Sequence, residues 1–136
     1  MSSVRTPLVG ALVLLLVAAI PLSAHHTVAG VYDPGHRATL TGVVDNVEWK
    51  QPHVIVHMEV KDDSRKVIAW AVETQAPLVL RSHGLQQDLL KPGMMISSTV
   101  CLARDGSHRG YAQNIVLPDG GGTIISFGCN SNRSTP

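Results

Sequence analysis

The chain is expected to fold as a small, mainly β Greek-key barrel of the OB-like type, five- to six-stranded, with one short helix between strands 3 and 4. Three observations carry that expectation. From Ala38 to Glu73, β-branched and alternating apolar segments are separated by compact turn sequences. A short segment of helical character then follows, with Pro77 near its start and Gly84 at its stop. A hairpin signal, Asp105-Gly106, lies between two further β-rich segments. Three strands, a helix and a hairpin in that order match a five-stranded Greek-key barrel.

Each element has a local cause. Val31 to Arg37 reads as a loop entry, with Asp33-Pro34-Gly35 as a turn. Ala38 to Trp49 (ATLTGVVDNVEW) is the first strand, and its interior Gly42 marks a bulge or sharp bend. Lys50-Gln51-Pro52 turns the chain. In His53 to Lys61, Val54, Val56, Met58 and Val60 share one face, and His53, Ile55, His57 and Glu59 share the other. Asp62-Asp63-Ser64 is the next turn, and Lys66 to Glu73 forms strand 3 with Ile68, Trp70 and Val72 on one side. After the helix and an irregular piece over Leu85 to Pro92 come a fourth strand (Met94 to Ala103), a fifth (Gly110 to Leu117) and a short sixth (Thr123 to Phe127).

The N-terminus reads as an export signal. Arg5 supplies positive charge, Leu8 to Leu22 is an uncharged and almost wholly apolar run, and Ser23-Ala24 provides small residues for cleavage. The run is shorter than the ~20 residues of a membrane span. We therefore expect residues 1–24 to be a cleaved signal peptide, 25–129 a single β-barrel domain and 130–136 a disordered tail, in a periplasmic or secreted protein. Arg5 is the one basic residue ahead of that cut, so the 11 basic residues of the chain fall level with its 10 acidic ones. A neutral domain lacks the basic face a nucleic-acid binder needs, and nothing in it supports stable membrane insertion once the signal is gone. Cys101 and Cys129 are free to pair in an oxidising compartment, yet their spacing fits no disulfide framework, so pairing stays open at this point.

Ala24-His25-His26 with Tyr32-Asp33, Leu40-Thr41-Gly42-Val43-Val44, Trp49 with Pro52-His53, and Trp70 with Glu73 carry a resemblance that Leu89 to Gly93 and Arg104-Asp105-Gly106 continue. In these stretches the chain resembles a family of small exported bacterial proteins, domain of unknown function 6152. It departs from the family's usual pattern at Gln51 and Thr27, without loss of a histidine. The resemblance implies an exported β-rich domain and brings no activity with it.

Candidate chemistry centres on the seven histidines. A cut after Ala24 makes His25 the first residue. Its amine and imidazole then form a chelate, and a second imidazole completes a T-shaped copper site. A cut one residue earlier places His25 second and His26 third, which also suits square-planar Cu(II) or Ni(II). His25 and His26 are thus candidate ligands for copper or zinc. His53 is the first choice of added ligand, with His36 and His57 behind it. His53 and His57 share a strand face but stand ~13 Å apart at 3.3 Å per residue, too far to grip one ion alone. No catalytic residue or other cofactor site is expected: Glu48, Glu59 and Glu73 form no recognisable acid/base pair, and no nucleophile elbow or phosphate loop occurs. The leading expectation is a binding protein. The alternatives are a non-metal interaction module, holding an envelope peptide, glycan or protein or a small ligand at the rim near Trp49 and His53, and a copper-dependent oxidase-like enzyme.

Overall fold

The computed structural model describes residues 28–118, 122–125 and Cys129. A four-residue helix α1 (Val28–Val31) leads into β1 (Tyr32–Glu48), then β2 (Ile55–Lys61) and β3 (Val67–Glu73). Helix α2 (Pro77–Ser82) and a 3-10 turn (Gln87–Leu89) precede β4 (Met95–Ala103), β5 (Arg109–Ala112), β6 (Asn114–Val116) and β7 (Thr123–Ile125). The Gln51–Pro52 peptide bond is cis.

The sheet runs β1-β2-β3-β5-β4-β6-β7, and an additional β1–β4 pairing closes the first five strands into a barrel. Neighbours are antiparallel except β3 and β5, which run parallel with Ala71 to Glu73 beside Arg109 to Tyr111. This is the predicted five-stranded Greek-key architecture, with β6 and β7 as an extension from β4 and the helix where Pro77 and Gly84 place it. Closure depends on one long strand serving two neighbours. Gly42 of β1 pairs with Val60 on one side and Ile96 on the other, and a bulge follows between Val44 and Asn46. The alternation of β2 holds: Val54, Val56 and Met58 are buried among Leu40, Val44, Val72, Ile96 and Val100 inside the barrel. Leu80 of α2 and Leu85 after it add to that core.

Two boundaries differ from the sequence expectation. β1 begins at Tyr32, and Asp33-Pro34-Gly35 is a register shift within the strand rather than a loop before it. The turn chemistry is nonetheless present, since Asp33 Oδ1 accepts from the Gly35 amide at 3.0 Å. The expected fifth strand is two strands broken at Gln113. There the Gln113 amide donates to the Thr99 carbonyl, and the Asn114 side-chain oxygen takes the Thr99 amide at 2.8 Å. A side chain stands in for a ladder carbonyl, so β5 stays in the barrel wall while β6 leaves with β7. The expected signal peptide and C-terminal tail lie outside the described residues.

A second, smaller core sits outside the barrel wall. Tyr32, Cys101, Ala103, Tyr111 and Cys129 pack together, with Val28 and Val31 against them. Cys101 and Cys129 are joined by a disulfide, which resolves the open pairing. The bridge ties the chain near its C-terminal end to β4, and removing it by a paired Cys101→Ala, Cys129→Ala change is expected to cost about 2–4 kcal/mol. Chemical denaturation of the oxidised protein and the double variant measures that difference.

Candidate functional site

The outer core carries the most developed polar arrangement among the described residues. Val72 points into the barrel, so its neighbour Glu73 faces outward. The parallel pairing with β5 sets Glu73 beside Tyr111. Tyr32, from the start of β1, lies against Tyr111 with ring centroids 5.7 Å apart. The cis-proline turn before β2 presents His53, whose ring meets the Tyr111 ring edge-on at 6.3 Å. Three segments distant in sequence thus gather around the one carboxylate of β3.

Glu73 is divided between two donors. The Tyr32 hydroxyl donates to Oε2 at 2.6 Å, and His53 Nδ1 lies 2.5 Å from Oε1. A carboxylate in its ionised form only accepts, so the shared proton then sits on Nδ1, and an imidazole in its neutral form presents the lone pair of Nε2 on its far side. That Nε2 makes no hydrogen bond to a described residue. A carboxylate that fixes the tautomer and orientation of an imidazole and leaves the far nitrogen available is the arrangement found behind metal-ligating histidines. Arg109 completes the group, with its guanidinium 3.5 Å from the Tyr32 hydroxyl and 5.9 Å from that ring's centroid.

The two phenols are held protonated. Burial, reinforced by the hydrogen bond to Glu73 and its charge, pushes Tyr32 up to about 12. Tyr111 rises to about 12 through burial and then the charge of Glu73. Both phenols lie above the ~10 of an unfolded tyrosine, so the folded state holds protons that the unfolded chain releases. The stabilisation is complete below pH ~10 and is lost as pH climbs from there towards 12. Thermal melts at pH 9 and pH 11 are expected to show a marked drop at the higher pH. Tyrosinate absorbance is expected to show two phenols titrating late in the folded protein.

The other predicted histidines are placed differently. His57 turns its Nε2 to Glu48 Oε1 at 2.7 Å, and Glu48 also pairs with Lys50. The bonds from Lys50 and then His57 hold the Glu48 carboxyl below the usual carboxylate range. His53 and His57 are therefore tied to different carboxylates and do not converge. His36 is exposed on the first stretch of β1. His25 and His26 lie outside the described residues. Among the described residues no group of three or more His, Cys, Asp or Glu side chains could hold a metal ion, so His53 with Glu73 is at most part of a ligand set. Trp49 is half-buried against the barrel core, with the Arg81 guanidinium 6.0 Å from its ring. Its indole Nε1 is buried without a hydrogen-bond partner among the described residues.

Sequence reasoning picked out His53 but missed Glu73 and Tyr32 as its partners. A signal for Glu73 was available. The Asp62-Asp63-Ser64 turn fixes the β2–β3 register, which sets Ile55 opposite Glu73 and brings the carboxylate to the end of the hairpin where His53 lies. No local pattern announces Tyr32, which arrives through barrel closure.

No helix among the described residues is long and apolar enough to cross a membrane. The sequence matches no curated protein and no solved structure. Residues 12–113 match the model of a family described as a family of unknown function, DUF6152.

Proposed function

We propose that this chain, which belongs to the DUF6152 family of unknown function, is an exported barrel protein that binds a copper or zinc ion at the outer core, using His53 together with the histidine pair His25-His26. Export follows from the expected signal peptide, whose removal creates the amine–imidazole chelate at His25. The observation that carries the reading is the His53–Glu73–Tyr32 chain, which orients one imidazole and leaves its Nε2 available. Val28 packs on the same small core as Tyr111, against whose ring His53 rests. His25 is three residue steps from Val28, a span of at most ~11 Å, so a chain that begins at His25 begins within that reach of the small core on which Val28 packs. Imidazole and amine nitrogen suit copper and zinc better than magnesium or calcium. The ion, once bound, would be a Lewis acid or a redox centre; His53 would ligate it, Glu73 would orient His53, and Tyr32 would hold Glu73.

Titration of protein beginning at His25 with Cu(II) and Zn(II) tests the reading. It predicts one equivalent bound more tightly than micromolar, and clear weakening in His53→Ala. If no ion binds more tightly than micromolar, the reading is wrong.

A further inference from the structure

We propose a second binding site, independent of the metal reading: an open groove over Trp70 that takes a neutral oligosaccharide. Two cavities, of about 220 and 370 Å3, lie side by side and share Trp70 and His108 as common walls. The smaller is bounded by Glu59 on β2, by Ala69 and Ala71 on β3 and by Asp45 at the β1 bulge. The larger is bounded by Asp33 and His36 at the start of β1 and by Arg104 and Ser107 of the β4–β5 turn. Between them the two cavities extend from the β2–β3 wall to the β4–β5 turn, and the Trp70–His108 pair lies where they meet. In five-stranded Greek-key barrels, ligands bind at this combination of strand face and loop, and those ligands are oligonucleotides or oligosaccharides.

Charge decides between the two. The carboxylates of Asp33, Asp45 and Glu59 line the cleft, and the guanidinium of Arg104 lies 3.7 Å from Asp33. The balance is negative. A phosphate backbone would meet repulsion where it needs cationic partners. A neutral sugar meets no such penalty. Its hydroxyls can donate to the carboxylate oxygens and exchange hydrogen bonds with imidazole nitrogens. Its apolar C–H face suits an aromatic surface. The two alanines keep the wall beside Trp70 low, and the half-buried indole is held by His108 with ring centroids 5.2 Å apart.

The test uses metal-free protein carrying Trp49→Phe, so that indole emission reports Trp70 alone. It is titrated with soluble chito-, cello-, malto- and manno-oligosaccharides. Saturable change with at least one of them is expected. Glu59 and His108 are exposed, so Glu59→Gln and His108→Ala should keep the fold while each weakens that binding about tenfold. Absence of saturable change with every sugar at millimolar concentration overturns the proposal. So does equal binding by both variants, or tighter binding of a single-stranded oligonucleotide or a polyamine than of any sugar. Sugar binding that survives metal loss while the copper titration fails would leave this site standing and remove the other.

Discussion

Replacing Gly42 with alanine is expected to cost the domain about 3 kcal/mol, at the upper end of ordinary overpacking effects. A Cβ there would lie 2.2 Å from the Glu59 carbonyl oxygen and 2.9 Å from its carbon. Those are backbone atoms of β2, and β1 is hydrogen-bonded on its other side to β4 at the same residue. Neither neighbour can retreat without opening the barrel. Loss of roughly 10–20 °C in melting temperature follows for a domain of this size. Gly35→Ala is the natural control. Its added Cβ would meet only the Asp33 side chain at 3.4 Å, and it is expected to change stability by less than about 0.5 kcal/mol. Equal effects at the two positions would contradict the closure geometry described above.

Glu73→Gln is expected to lower metal affinity by about 10- to 100-fold, as loss of a carboxylate behind a ligating histidine does. The amide keeps the size of the side chain and can still accept from His53 Nδ1, but it loses the charge that strengthens both hydrogen bonds. The same change gives a readout that needs no metal. The Tyr32 phenol should titrate at lower pH, yet remain above its ordinary value, because burial is the larger cause of its shift and the glutamate the smaller. A variant that lowers the phenol's titration without touching metal affinity would leave Glu73 as a structural anchor for Tyr32 only.

Much of the barrel was legible because its signals are local. Alternation in Val54 to Val60, the Asp105-Gly106 turn and the Pro77 to Gly84 bracket each act over a few residues, and each holds. The errors fall where a non-local bond replaces a local one. Asp33-Pro34-Gly35 has turn chemistry, but Tyr32 before it and Arg37 after it both pair with β4, so the turn is absorbed into a strand. The break at Gln113 rests on the Asn114 side chain capturing the Thr99 amide, which hydrophobic periodicity does not encode. The site shows the same division. His53 stood out by residue type and by following Pro52. Its link through Glu73 to Tyr32, 41 residues away from that glutamate, depends on how β1, β3 and β5 close on one another. The disulfide belongs to this class too: 28 residues separate its cysteines, and their pairing becomes evident once both are seen beside Tyr32 and Tyr111.

We propose that export processing creates half of a metal site and that the barrel supplies the other half through His53. Mass analysis of the N-terminus, with metal content measured on the same sample of protein exported by its own host, tests it most directly. The expected result is a chain beginning at His25 or Ala24 that carries one equivalent of copper or zinc, and loss of that metal in His53→Ala. A correctly processed chain that carries no metal and takes up none when offered Cu(II) or Zn(II) would contradict it.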